Sequence, residues 1–298
     1  MDFTEITLKD KPLFDRHLML HNPQISELTF TNLFAWRNYY QFRYTEINGL
    51  LCIIAAPAGS EPYALMPVGD LNRGMFEETF RELNGYFKQM NWKPVFKKIT
   101  SDELAYFKSH VNSVEDFVFD RNNSDYLYLS QDLVHLKGKK FDGKRNHINK
   151  FKSKYDFSYV PLDCSLVEEC SRIMEEWCKE KNCNCKEGDY CERQANMELL
   201  NNFGTLECRG ALIFVNGNYE AFTVGEMLNR DTAVIHIEKA NTKVAGLYTL
   251  INQQFCEREW TDTLYVNREQ DLGLEGMRKA KLSYNPFKMV DKYTVYTC

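Results

Sequence analysis

Hydrophobic positions in the C-terminal half change period in a regular way. "FSYVPL" (157–162) reads as a strand, and residues 165–181 then place Leu166, Cys170, Ile173 and Trp177 at helical spacing. A second helix is predicted over 190–203. Residues 211–228 form a hairpin turned by Asn216, Gly217 and Asn218, and 232–240 supply a third strand. The loop "NTKVAG" opens a helix over 247–260. A strand at 263–267, a helix at 275–284 and a strand at 292–297 complete the order β-α-α-β-β-β-α-β-α-β.

The N-terminal half repeats that order more faintly. It runs from the strand "FTEIT" through two helices, three strands, a helix at 76–90 and a strand at 94–99. The short helix "SDELAYFKSH" follows, with Ser101 as its expected N-cap. "FVFDRN" and "DYLYLS" are the expected closing strands. The fold class is therefore α/β with mixed sheets. Two units are expected, 1–135 and 136–298.

Composition narrows the classes. Hydrophobic residues make up 44% of the 298 and charged residues 27%, as in an ordinary globular protein. The longest apolar run, "LLCIIAA" (50–56), is too short to span a bilayer, and "MDFTEITLKDKP" has no basic-then-apolar leader pattern. A cytoplasmic protein is expected, free or peripheral to the inner face of the membrane. Of ten cysteines, six fall between Cys164 and Cys191. The spacing of Cys178, Cys183, Cys185 and Cys191 fits neither paired zinc motifs nor iron–sulfur runs, so no metal and reduced thiols are expected.

Charge singles out one segment. "KGKKFDGKRNHINKFKSKY" (137–155) carries eight basic residues and one acid, net +7 in a chain of net −5. On a helical wheel of 100° per residue, Ile148, Phe151 and Tyr155 form a narrow apolar stripe with Lys144 at its N-terminal end. Arg145, Lys152, Lys150 and Lys154 flank it, while Asn146, Asn149 and Ser153 take the far face. A helix over 139–155 that shows cations on both rims suits phosphate contact better than base reading. Solvation of a narrow-footed helix is the plain alternative.

The element order resembles the GCN5-related N-acetyltransferase fold, implying two tandem domains of that kind. In that family a Gln/Arg-x-x-Gly-x-Gly/Ala loop opens a helix whose N-terminal amides hold phosphate. Lys243-Val244-Ala245-Gly246-Leu247-Tyr248 stands at that place, with Gly246 matching, Lys243 a like-charged substitute and Tyr248 departing. The N-terminal counterpart, "GDLNRGMF" (69–76), fits worse, so the resemblance implies that the first unit serves as scaffold and the second carries the reaction. A closer resemblance rests on "KKFDGKRNHINKF" (139–151), "HIEKA" (236–240) and "VNREQDLGLEGMRKAKLSYNP" (266–286). These are similar to a bacterial family related to the catalytic domain of phosphatidylglycerol lysyltransferases and, more distantly, to Fem-type peptidyltransferases.

That resemblance implies aminoacyl transfer from aminoacyl-tRNA to an amine or hydroxyl of a lipid, peptide or small molecule. It involves no tightly bound cofactor, with tRNA and an acidic lipid head group as possible partners. An acyl-coenzyme A N-acyltransferase and a non-catalytic RNA-binding protein are the alternatives. Transfer to an amine needs a proton acceptor, oxyanion donors and a proton for the leaving group. Glu238 is the candidate base, His236 two residues before it on the same strand face is the other, and Tyr284 is the candidate acid by analogy. Lys144, Arg145, Asn149, Lys239, Lys243, Gly246, Arg268, Arg278 and Lys281 are the candidate phosphate or substrate contacts. Pairing with neighbouring acids is the plain reading of these cations.

Overall fold

The computed structural model describes residues 1–71, 75–111, 114–181 and 191–298. In chain order the strands are β1 (Thr4–Glu5), β2 (Arg43–Ile47), β3 (Leu50–Ala55), β4 (Tyr63–Ala64), β5 (Val95–Thr100), β6 (Val114–Phe119), β7 (Asp125–Leu129), β8 (Phe157–Pro161), β9 (Arg209–Val215), β10 (Asn218–Met227), β11 (Thr232–Ala240), β12 (Tyr265–Asn267), β13 (Lys288–Val290) and β14 (Lys292–Thr297). The α-helices are α1 (Lys11–His21), α2 (Phe30–Tyr40), α3 (Phe76–Gln89), α4 (Ser101–His110), α5 (Ser130–His135), α6 (Asp142–Lys152), α7 (Val167–Lys181), α8 (Glu192–Asn201), α9 (Phe203–Leu206), α10 (Leu247–Glu259) and α11 (Glu275–Leu282).

The chain forms two units: Met1–Asp125 with Gln270–Glu275 and Met289–Cys298, and Tyr126–Glu269 with Gly276–Lys288. The division differs from the expected 135/136 boundary because two strands change places. β7, expected to close the first unit, pairs antiparallel with β12 in the second. β14, expected to end the second unit, lies between β5 and β6 in the first.

The first unit's sheet runs β1-β2-β3-β4-β5-β14-β6. β3 is buried along its whole length. α3 places Phe76, Phe80, Leu83 and Phe87 along one buried stripe. These pack with Phe96, Phe107 and Val295 into one core. Thr100, not Ser101, caps α4: its hydroxyl accepts from the Glu103 N–H, and the Glu103 carboxylate accepts from the Thr100 N–H. β14 carries a buried charge into this unit. The Lys292 ammonium donates to Glu27 at 2.5 Å and to Asp125 at 2.6 Å, and Lys98 donates to Glu27 at 2.6 Å. Burial alone raises the Glu27 carboxyl, but the two lysines outweigh it and draw it down to about 2.

The second unit's strands run β7-β12-β11-β10-β9-β8. Asn216 and Gly217 both take positive φ in the β9–β10 turn, as the sequence predicts. Cys191 is disulfide-bonded, a departure from the expected reduced thiols, and Cys183 and Cys185 lie outside the described residues. Among the described residues no helix is long and apolar enough to cross a membrane.

Candidate active site

β11 and β12 are parallel neighbours for three residues only, from Thr232 opposite Tyr265 to Val234 opposite Asn267. Beyond that point they part. On β11 the next residues of the Val234 face are His236 and Glu238, and after β12 the chain continues into Arg268 and Glu269. These four span the opening as two pairs. Arg268 Nη2 donates to Glu238 Oε1 at 2.9 Å, and Glu269 Oε1 lies 2.9 Å from His236 Nδ1. Helix α10 adds Asn252, whose Nδ2 donates to Glu238 Oε2 at 2.8 Å. Each Glu238 oxygen therefore already accepts a bond. His236 is held at its other nitrogen by Glu226 Oε1, also at 2.9 Å. Burial works against a charged His236, but its hydrogen bonds to the Glu226 and Glu269 carboxylates prevail and raise it to about 9. It is an imidazolium between two carboxylates.

Around this opening stand two tyrosines and a lysine. The Arg268 guanidinium carbon lies 4.6 Å from the centre of the Tyr284 ring and 5.7 Å from that of Tyr128. Tyr128 donates its hydroxyl to the Lys281 carbonyl, and Tyr284 shares a hydrogen bond with Thr249. Burial pushes the Tyr284 hydroxyl up to about 12. Lys144 Nζ lies 3.6 Å from the centre of the same Tyr284 ring and donates to Ser283 Oγ at 2.7 Å. Burial first, and the nearby Arg268 cation second, lower Lys144 to about 8, with Glu238 opposing.

The apolar stripe of α6 explains how Lys144 arrives there. Ile148 and Phe151 are buried, as the wheel predicts, so Lys144 one turn earlier on that stripe turns inward. The helix itself starts at Asp142 and ends at Lys152, shorter than the expected 139–155, with a 3-10 turn over Lys139–Phe141. α6 also packs on Gly246, which has φ +92. A Cβ there would lie 2.6 Å from the His147 carbonyl oxygen and 3.2 Å from Phe151 Cβ. Gly246 thus admits the backbone of α6.

The remaining predicted residues are engaged as follows. Lys243 pairs with Glu180 at 2.9 Å and is largely exposed. Lys239 is buried, donates to Glu192 at 2.8 Å and stands 3.5 Å over the Trp177 ring. Arg145 binds Asp142 and the carbonyls of Leu136 and Gly138. Asn149 is exposed on the outer face of α6. Lys281 Nζ donates to the Arg268 carbonyl at 2.5 Å, which fixes the backbone at the opening. Arg278 lies half-buried on α11. So Glu238, His236, Arg268, Tyr284, Lys144 and Lys281 converge, while Lys239, Lys243 and Arg145 are held by other acids.

Sequence reasoning passed over Asn252, Thr249, Tyr128 and Ser283. A signal existed for the first two, since Thr249 and Asn252 are three apart on one face of a helix that follows the central strand. Two atoms complete the picture. Among the described residues, Arg268 Nη1 and Asn252 Oδ1 are buried and have no hydrogen-bond partner.

Comparison with known proteins shows the family and the fold. A model of the phosphatidylglycerol lysyltransferase C-terminal family matches residues 19–296. A conserved protein of unknown function from Bacteroides thetaiotaomicron has a similar structure, with TM-score 0.93 and 36% identity over the whole of both chains. The L-PGS structure from Bacillus licheniformis superposes with TM-score 0.68 at 16% identity, covering 97% of this chain and 92% of that one. A tandem GNAT protein from the clavulanic acid pathway gives TM-score 0.52 at 9% identity, covering 99% and 98%. The fold is thus of the tandem GCN5-related N-acetyltransferase type. An uncharacterised protein of Mycoplasmoides gallisepticum is 23% identical over 203 residues, 66% of this chain and 63% of the length of that relative.

Proposed function

The chain belongs to the phosphatidylglycerol lysyltransferase C-terminal family, and from that premise we propose that it transfers an aminoacyl group from aminoacyl-tRNA to an amine or hydroxyl. The observation that carries this reading is the buried Arg268–Glu238 pair at the parting of β11 and β12, with one polar atom of Arg268 and one of Asn252 left over. Arg268 Nη1 is a donor for the oxyanion formed when the ester carbonyl is attacked. Asn252 Oδ1 is an acceptor for the α-ammonium group of the same aminoacyl moiety. A ligand carrying both groups would satisfy both orphan atoms, each of which costs stability while unpaired.

The exposed lysines of the basic segment, Lys137, Lys139, Lys150, Lys152 and Lys154, suit the phosphates of a nucleic-acid donor. The acyl-coenzyme A reading has less support. α6 is packed against Gly246 where that family opens its phosphate loop, and Lys243 is taken by Glu180. The test is to incubate the protein with tRNA carrying radiolabelled amino acids and follow label into lipid-extractable and small-molecule products. Transfer without added coenzyme A is the expected result. Transfer only from acyl-coenzyme A would overturn the reading.

A further inference from the structure

We propose that Lys144 is the proton carrier of the transfer, taking the proton of the acceptor and returning it to the leaving ribose oxygen. This rests on the aminoacyl-transfer reading. The inference follows from what each titratable group near the opening has left to offer. Glu238 accepts from Arg268 on one oxygen and from Asn252 on the other. His236 has both ring nitrogens held by carboxylates. Tyr128 gives its proton to the Lys281 carbonyl, burial pushes the Tyr284 hydroxyl up to about 12 so that it already holds its proton, and Cys256 is fully buried with its thiol pushed up to about 12. Lys144 differs from all of them. Among the described residues no carboxylate lies within ion-pair distance of it.

Its one hydrogen bond leaves the nitrogen usable. Ser283 Oγ commits its own proton to the Ala280 carbonyl at 2.6 Å, so toward Lys144 it acts as acceptor. Neutral Lys144 therefore still donates one N–H to Ser283 and keeps its lone pair free. The charged groups that act on it are Arg268, after β12, and Glu238, on β11. Tyr284, after α11, faces it with its ring, and α10 presents the uncharged Thr249 to that tyrosine. Beside it in sequence, Lys140 is paired with Asp132 and Arg145 with Asp142. A lysine beside a second cation and out of reach of an acid is more easily deprotonated than a solvated one, in line with its lowered titration.

The step balances without a further reactant. Lys144 Nζ accepts the proton of the acceptor N–H or O–H as that atom attacks the ester carbonyl carbon. The new C–N or C–O bond forms, and the C–O bond to ribose breaks. The Lys144 ammonium returns the proton to the departing ribose oxygen, and no electrons change hands.

Two measurements on the full chain test the assignment. The first is competitive acetic anhydride labelling of the resting protein across pH, read by mass spectrometry for each lysine peptide. Lys144 should titrate near 8, and a midpoint like that of the exposed lysines overturns the proposal. The second compares Lys144→Arg with wild type in the transfer assay. Arginine keeps the charge but cannot give up its proton, so kcat should fall by about 10²-fold or more with donor affinity retained. The rising limb of the wild-type pH profile near 8 should also vanish. An unchanged kcat, or a loss confined to donor affinity, overturns the proposal. Lack of transfer by wild type, with Lys144 titrating near 8, would instead overturn the transferase reading and the step built on it.

Discussion

Arg268 and Glu238 meet at 2.9 Å where β11 and β12 part, each side chain only 12% exposed. A pair this buried loses more when one partner is removed than the pair itself contributes, because an uncompensated charge stays behind. Arg268→Met should cost about 3–5 kcal/mol in denaturant unfolding. Adding Glu238→Gln should recover part of that loss. The check is a double-mutant cycle, and additive losses would show that the pair is not coupled.

His236 makes the second unit sensitive to alkali. Its folded pKa is raised to about 9 from an ordinary 6.5. The stabilisation is therefore complete below 6.5 and is lost as pH rises through 9. Unfolding free energy should decline across that window by about 3 kcal/mol from this group. His236→Gln should be less stable below pH 6.5 and should flatten the decline, as measured by urea titrations at pH 6, 7.5 and 9.

The first unit depends on a residue from the chain's last ten. Lys292 is fully buried between Glu27 and Asp125, and β14 lies between β5 and β6. Lys292→Met takes this buried ammonium from Asp125 and leaves Glu27 with Lys98 alone, at a cost on the order of 3–5 kcal/mol. Ending the chain after Asp291 removes an internal strand of the sheet. Hydrogen exchange should show the loss in β5 and β6, and protection equal to wild type there would contradict this placement.

Gly246→Ala tests the docking of α6. The new methyl would sit 2.6 Å from the His147 carbonyl oxygen at a φ of +92. Both the clash and the left-handed backbone act against it, at a cost of about 1–3 kcal/mol. The displaced helix would carry Lys144 off Tyr284. Lys144 labelling should then resemble that of an exposed lysine, while His236 keeps its titration.

Much of the fold was legible in the pattern of apolar residues. The stripe Ile148, Phe151 and Tyr155 placed Lys144 on the inner face, and alternation along β11 put His236 and Glu238 together. The exchange of β7 and β14 was not legible, because alternation says which face a strand buries and nothing about which sheet receives it. The roles within the site were legible only in part. Glu238 read as the candidate base or as an acid paired with a near neighbour such as Lys239, whereas its partners are Asn252, fourteen residues on, and Arg268, thirty residues on. Lys239 and Lys243 read as phosphate contacts because Glu192 and Glu180 lie far from them in sequence. Such pairs form through the fold, and no local spacing announces them.

In the proposed reaction the aminoacyl end of the donor sits against Lys144, Tyr284 and Arg268. The most direct measurement is labelling of Lys144 with and without an adenosine that bears an amide-linked aminoacyl group, a stable mimic of the charged tRNA end. The mimic should slow acetylation of Lys144, adenosine without the aminoacyl group should not, and Arg268→Met should abolish the protection. Equal labelling of Lys144 with and without a saturating concentration of the mimic would contradict that placement.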